Sequence, residues 1–320
     1  MRRRLLLAAA LASLPAVARA TWPERPLRWL VGYPAGGGTD VLARLLAASL
    51  SRRLGQPVVV ENRPGAATNI AAEVAARAEP DGYTVFTAGN ETLVFNPVLY
   101  RSLAFDVDRD LRLLGLMARF HLVLAVQPGS AMRSATDFVA SARSQEGRLA
   151  YGSPGIGSPH HLAMERLLRD LGVRMTHVPY RGMAPVMNDL MAGVVECGIV
   201  DIAAGGAALR AGRIRPLAIC SEARHPSLTE VPTVAEALGL SAFTAFAWQG
   251  LTAPARTPDA IAARLSETLT AALSEPAVQA RMSEIGLEPL SGGPSEYRAM
   301  IDAERAIYWP LIRELGLRLD

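Results

Sequence analysis

The run Tyr33-Pro34-Ala35-Gly36-Gly37-Gly38-Thr39-Asp40 stands between an apolar segment, Leu27 to Val31, and an amphipathic one, Val41 to Leu54. Strand, glycine turn and helix in that order aim free backbone N–H groups at one point. A helix N-terminus leaves its first N–H groups without intrahelical partners, and the macrodipole adds roughly half a positive charge there. Three glycines remove the side chains that would hold a ligand off that backbone. A second stretch repeats the pattern: Tyr151-Gly152-Ser153-Pro154-Gly155-Ile156-Gly157-Ser158-Pro159-His160-His161 again follows a strand-like run and opens a helix. Either turn alone reads as an ordinary βα connection; as a pair they read equally well as two halves of one anion seat.

The chain around them alternates short apolar runs with amphipathic ones. Strand-like segments fall at Leu27–Val31, Pro57–Glu61, Tyr83–Ala88, Leu149–Gly152, Met175–Tyr180, Val194–Asp201 and Ile214–Ser221, with helical periodicity between them. Ser158–Leu171 carries the sharpest helix signature, with serine at the N-cap, proline at N1, and Met164, Leu167, Leu168 and Leu171 on one face. Strands separated by helices of this length imply an α/β fold with a parallel sheet and right-handed crossovers. The apolar run Leu111–Val126 is too long for one ordinary strand, so it reads as one strand leaving a first domain and another entering a second. Beyond Ser221 the alternation weakens, and helices at Thr257–Leu273, Pro276–Ile285 and Ser295–Leu315 close the chain. The expected division is a discontinuous lobe 1 (21–120 and 226–320) and a lobe 2 (121–225). Crossing connections are then expected near Leu116–Val123 and Ser221–Val231, with a cleft between the lobes.

Arg2-Arg3-Arg4, the apolar stretch Leu5 to Ala18 and Ala18-Arg19-Ala20 have the form of a secretory signal peptide cut after Ala20, hence export to the periplasm. Its four arginines, taken from the 33 basic residues of the chain, leave 29 against 30 acidic ones. The basic pI thus belongs to the leader, and no basic tract remains to follow a nucleic acid backbone. Every basic residue is arginine. The absence of lysine excludes a Schiff-base lysine, a pyridoxal phosphate anchor and a Walker lysine together. Cys197 and Cys220 lie in apolar runs, as a disulfide in an oxidising compartment or as two buried thiols.

Neither turn contains arginine, so the donors expected at the seat are neutral: Thr39, Ser153, Ser158 and the backbone of Gly36, Gly37, Gly38, Gly157 and Ser158. Tyr33 and Asp40 bound the first turn. Adjacent residues of a helix point about 100° apart, so His160 and His161 are not a metal pair, although His161 is placed to donate to an anion. Asp201, at the end of an apolar strand, meets a ligand amine or hydroxyl or caps the next helix; Tyr180 and Trp248 line the cleft or fill the core. Neither turn is a dinucleotide fingerprint. No G-x-S-x-G elbow, H-E-x-x-H or C-x-x-C occurs, and neither a cofactor nor a metal is called for. Asp106, Asp108 and Asp110 lack the glycine and terminal glutamate of a calcium loop.

Several motifs in order carry a family resemblance: Tyr33–Asp40; Leu54-Gly55-Gln56-Pro57 running into Val60-Glu61-Asn62-Arg63-Pro64-Gly65-Ala66; Pro80-Asp81-Gly82-Tyr83-Thr84; Gly155–Leu162; Val178–Gly182; Val231-Pro232-Thr233; and Trp248–Pro254. Over essentially the whole mature chain the sequence resembles the Bug family, the TctC-type substrate-binding proteins of tripartite tricarboxylate transporters. The resemblance implies a type II periplasmic binding protein fold of two α/β lobes with two crossing strands. It also implies capture of a small carboxylate (a di- or tricarboxylate, an amino acid or an aromatic acid) and delivery to integral-membrane permease subunits by a monomeric receptor. The family's two ligand loops fall on Tyr33–Asp40 and Gly152–His161. Where the family usually has Ala-Gly-Gly-Asn, this chain has Ala66-Ala67-Thr68-Asn69. Two other readings use the same cleft: a secreted enzyme acting on a carboxylate, or a ligand-dependent partner of a signalling receptor.

Overall fold

The structure is a computed structural model and describes residues 22–320; the expected leader and its cleavage site lie outside the described residues. From the N-terminal side, β1 (Leu27–Val31) is followed by α1 (Gly38–Leu54), β2 (Val58–Asn62), α2 (Asn69–Ala76) and β3 (Thr84–Gly89). A π-helical turn (Glu91–Phe95), α3 (Asn96–Leu99) and α4 (Val107–Asp110) lead to β4 (Leu111–Val126). Then come α5 (Ala135–Ser144), β5 (Ala150–Ser153), α6 (Pro159–Leu171), β6 (Thr176–Pro179), α7 (Met183–Ala192), β7 (Cys197–Asp201), α8 (Ile202–Arg210) and β8 (Arg215–Ile219). The chain closes with α9 (Val234–Leu238), β9 (Phe246–Pro254), α10 (Asp259–Leu273), α11 (Pro276–Glu284), β10 (Leu287–Pro289) and α12 (Pro294–Glu314).

The strands run in the order β2-β1-β3-β9-β4-β7-β5-β6 along one curled sheet, with β10 and β8 also paired to β4. β1 lies parallel between β2 and β3, and β5 lies parallel between β6 and β7, as short strands joined by helical crossovers require. Side-chain alternation sorts each lobe into a core on either face. Leu27, Trp29 and Val31 pack with Leu42, Leu46 and Leu50 of α1 and Leu265 and Leu269 of α10. Leu30 points the other way, onto Ala71 and Ala72 of α2 and Tyr297 and Ile301 of α12. Along the second half of β4, Leu122, Leu124 and Val126 meet the α5 and α6 side, whereas Val123 and Ala125 meet residues of α7 and α8.

The run Leu111–Val126, expected as two strands, is one strand of 16 residues. Its first part pairs with β9 and β10 and its last five residues pair with β7. Register shifts at Leu113/Gly115 and Leu116/Ala118 bend it without ending it. Phe120 packs in the first lobe and Leu122 in the second, so the chain crosses at His121. The return crossing expected at Ser221–Val231 lies later. The Cys220 N–H donates to the Leu122 carbonyl at 2.9 Å, and the Ala245 N–H donates to the Cys220 carbonyl at 2.8 Å. Val231, Val234, Phe243 and Ala245 all pack in the second lobe, and Phe246 and Ala247 are the first of the run to pack with the first lobe. Residues 226–245, assigned to lobe 1 from sequence, thus pack with lobe 2. The weakened alternation there marks an excursion carrying α9 rather than an exit. The crossings coincide, because His121 pairs with Phe246 in the β4–β9 ladder. Cys197 and Cys220 are free and buried, and burial pushes the Cys220 thiol up to about 12.

Candidate functional site: the interlobe cleft

The first turn fits its sequence reading closely. Gly36 sits at φ +83, a left-handed conformation that favours glycine, and Gly37 is an extended N-cap with no side chain closing the helix. The first helical acceptor bond is from the Val41 N–H to the Gly37 carbonyl at 3.0 Å, so the N–H groups of Gly38, Thr39 and Asp40 point ahead of α1. Asp40 holds the turn rather than offering its charge. The Gly36 N–H donates to Oδ2 at 2.9 Å, Asn62 Nδ2 donates to Oδ1 at 2.9 Å, and Arg44 pairs with it at 3.0 Å. Burial opposes the carboxylate charge, but these partners outweigh it and hold the pKa below the usual range. Across the gap lies the start of α8: a Cβ built on Gly38 would stand 3.6 Å from the Ala203 Cβ and 3.0 Å from the Phe120 ring.

The second turn is spent differently from expectation. Its donors are largely consumed within the loop: the Gly155 N–H bonds Ser153 Oγ at 3.3 Å, the Gly157 N–H bonds His161 Nδ1 at 3.1 Å, and the His161 N–H bonds the N-cap Ser158 Oγ at 3.2 Å. His161, 1% exposed, does not reach the cleft. Its ring stacks on His177 with centroids 4.0 Å apart, and Tyr151 also lies nearly parallel to His177, 4.9 Å away. Ser153, also fully buried, shares a hydrogen bond of 2.6 Å with His177 Nε2. Burial, with His177 beside it, lowers the His161 pKa to about 3, and burial lowers that of His177 to about 4, so both rings are neutral props. Tyr180 donates its hydroxyl to Asp189 on α7 at 2.6 Å, and Trp248 is core, edge-to-face with Tyr297. Gly157, at φ +77, packs against the first lobe, where its Cβ would come within 2.4 Å of Leu99. Each turn thus has a neighbour of its own in the opposite lobe. The first meets α8, and the second meets α3.

Between those contacts lies a set of polar groups at the carboxyl ends of β1, β3 and β7, where ligands of open α/β sheets sit. Tyr33 donates its hydroxyl to Glu91 at 2.5 Å and accepts from Gln249 Nε2 at 3.2 Å. Burial pushes the Glu91 pKa up, against the Tyr33 hydroxyl and the neighbouring His160 of the other lobe, which pull it down. His160 Nε2 is 3.1 Å from Asp201 Oδ2, while Asp201 Oδ1 accepts the Ala204 N–H at 2.7 Å. Asp201 is thus both the cap of α8 and a partner across the site; burial opposes its charge, yet His160 and the backbone donors keep its pKa low. Behind Glu91, Thr92 shares a hydrogen bond of 2.6 Å with Thr68. Ala66, Ala67 and Thr68 all have left-handed φ (46°, 48° and 75°), and Asn96 Nδ2 holds the turn through the Ala67 carbonyl at 2.7 Å. Backbone strain of this kind concentrates beside functional sites.

Glu91, Gln249, His160 and Phe120 were not singled out as ligand-facing by the sequence. Glu91 had a usable signal: it is a lone acid two residues past the end of β3, just before the apolar run Leu93-Val94-Phe95. Gln249 and Phe120 had none, since both lie within strands and reach the cleft only because of how β4 and β9 cross.

Residues 42–317 match the family described as "Tripartite tricarboxylate transporter family receptor". The UPF0065 protein of the tcbD–tcbE intergenic region of Pseudomonas sp. (strain P51) is 36% identical over 324 residues, covering 100% of this chain and 96% of that protein. Among solved structures, R. palustris Rpa4515 with adipate superposes with a TM-score of 0.86 at 36% identity, over 92% of this chain and 98% of the other. MatC (Rpa3494) from Rhodopseudomonas palustris with bound malate gives 0.82 at 30% identity, over 91% and 100%. Agreement of this kind along nearly the entire length shows that the chain belongs to the tripartite tricarboxylate transporter receptor family, the TctC or Bug type of periplasmic binding protein.

Proposed function

We propose that this protein is an exported receptor that captures a small carboxylate between its lobes and hands it to the permease subunits of a tripartite tricarboxylate-type transporter. The observation that carries the reading is the start of α1. Three backbone N–H groups (Gly38, Thr39 and Asp40) project from it with no side-chain cap, into a gap closed on the far side by α8. Two helix N-termini from different lobes converge there, and neither brings an arginine. Neutral donors suit a ligand that must be released again. The bound adipate and malate of the two structural relatives support the same class of ligand.

The other ligand-facing residues on this reading are Tyr33, Glu91, His160 and Asp201, with Gly36 and Gly37 shaping the first turn. Ser153, Gly157, Ser158, His161 and Tyr180 act by holding the second lobe's loop in place. Closure is a population shift set by contacts made only when the lobes meet. The receptor works as a monomer, is released from its leader after Ala20, and returns its ligand chemically unchanged.

Thermal-shift screening of carboxylates tests the proposal. Ligand at 100 times its dissociation constant adds about 2.7 kcal/mol of stability, a readily measured rise in melting temperature. A screen in which no carboxylate raises the midpoint, or recovery of a chemically altered acid after incubation, refutes it. Mass spectrometry of the exported protein checks the cleavage position.

A further inference from the structure

Groups of both lobes also meet outside the cleft, where β4 passes from one lobe to the other. There His121, 8% exposed, is engaged through both ring nitrogens. Its Nε2 is 2.8 Å from Oε2 of Glu288, on β10 of the first lobe. Its Nδ1 shares a hydrogen bond of 2.8 Å with Ser221 Oγ, just past β8 of the second. The ring of His225, on the same second-lobe segment, stands edge-on to it with centroids 4.8 Å apart. The Ser227 N–H donates to His225 Nδ1 at 3.2 Å and anchors that ring. Arg119, two residues before His121 on β4, reaches Glu222 Oε2 of the second lobe at 3.5 Å and Glu288 Oε2 of the first at 3.7 Å. The charged and titratable groups facing His121 among the described residues are therefore Glu288 from β10, Arg119 from β4 and His225 from the segment after β8, with Glu222 behind Arg119.

Two imidazole rings thus share one carboxylate. A single proton on either ring finds Glu288 as its counter-charge, while Glu222 is taken up by Arg119. A second proton puts two positive rings side by side, next to Arg119, in a space where burial already weakens solvation. His121 rides on the crossing strand and His225 on the second lobe, so the repulsion acts across the lobe boundary. Withdrawal of the segment 221–225 and entry of water relieve it. Burial above all, then His225 and Arg119, hold the His121 pKa below the usual histidine range, with Glu288 pulling the other way. Burial likewise lowers that of His225 against the pull of Glu288. Rings whose pKa is lowered in this arrangement favour it above about pH 6.5 and disfavour it as pH falls.

We infer that His121 and His225 form an acid-operated latch at the lobe crossing, shut while at most one ring is charged and released when both are. Acidification then shifts the ligand-free protein toward parted lobes, a change of population between two arrangements. The latch belongs to the hinge and holds whatever molecule the cleft takes.

Spin labels on Arg63→Cys and Arg181→Cys test it. Both are exposed positions just past the outermost strands β2 and β6, and the native Cys197 and Cys220 are buried. Double electron–electron resonance then reads the distance between the lobes. In the ligand-free protein the ratio of long to short distances should rise at least about threefold between pH 7 and pH 5. His225→Gln, which removes one of the two charges, should cut that shift by about half or more, and His121→Gln should abolish it. Distances that are the same at both pH values, or that shorten on acidification, overturn the latch. So does a shift that His225→Gln leaves intact, because the titration then lies elsewhere. The His225 variant decides the matter even where His121→Gln folds poorly.

Discussion

Replacing Glu304 by glutamine should change the pH dependence of stability by an amount that can be worked out from its surroundings. Glu304, 6% exposed on α12, accepts a hydrogen bond of 2.6 Å from Asn90 Nδ2, and burial pushes its pKa up to about 8 despite that bond. In an unfolded chain a glutamate titrates near 4.3. The folded pKa is the higher, so the stability that goes with a neutral Glu304 is fully present below about pH 4 and is lost as pH rises toward 8. At 1.36 kcal/mol per unit, the penalty is roughly 1 kcal/mol at pH 5 and roughly 3.5 kcal/mol at pH 7. Glutamine does not titrate, and its carbonyl oxygen can still accept from Asn90. Its amide needs an acceptor of its own, which introduces an offset of about 1–3 kcal/mol that does not vary with pH. The offset cancels in a comparison between two pH values. Urea unfolding of both proteins at pH 5 and pH 7 should therefore show the variant gaining roughly 2.5 kcal/mol on the wild type across that interval. A stability difference that is the same at both pH values refutes the buried, proton-bearing Glu304 described here. Ligand affinity at pH 5 should match between the two proteins, since Glu304 acts through Asn90 at the back of the site.

The histidine stack behaves in the opposite sense: with folded pKa values of about 3 and 4 against about 6.5 unfolded, its stability is present above pH 6.5 and lost as pH falls. His177→Gln should reduce the loss between pH 7 and pH 5 by about 1 kcal/mol in urea unfolding, after allowance for solvent reaching that ring. Gly38→Val should weaken ligand binding at least tenfold in calorimetry, because its side chain would meet Phe120 and Ala203 across the closing gap. Gly37→Val should do less, as its Cβ meets only the Pro34 carbonyl at 3.6 Å. Gly157→Ala should also weaken binding through Leu99, and Leu99→Ala in the same chain should recover part of the loss. Strict additivity of the two changes in a double-mutant cycle would count against that contact.

Much of this molecule was legible before any coordinate. The caps of α5 and α6, Ser134 and Ser158, accept the N–H bonds that their positions in the sequence predict. The first glycine turn adopts the backbone its composition demands. Legibility fails where a property belongs to two distant segments at once. His161 reads as a candidate donor because it opens a helix after a glycine turn, yet the helical rotation of about 100° per residue turns it inward and leaves His160 facing Glu91. Residues 226–245 contain a capping box at Thr233 and Glu236 but no strand of their own, so their lobe is set by packing against Leu122 and Leu124. Gln249 is one of two polar residues, with Thr252, in an apolar strand until β9 is known to lie between β3 and β4.

The coincidence of both crossings at His121 and Phe246 has a mechanical consequence. A strand of 16 residues shared by two bodies acts as a leaf spring: the lobes can part only by twisting it, over the few residues around that one ladder pair. His121 is bonded there to Ser221 at 2.8 Å and paired with Glu288 at 2.8 Å, and Arg119 lies over the Phe246 ring at 4.2 Å. Any opening of the lobes would therefore have to bend the spine of the protein, where these side chains brace it.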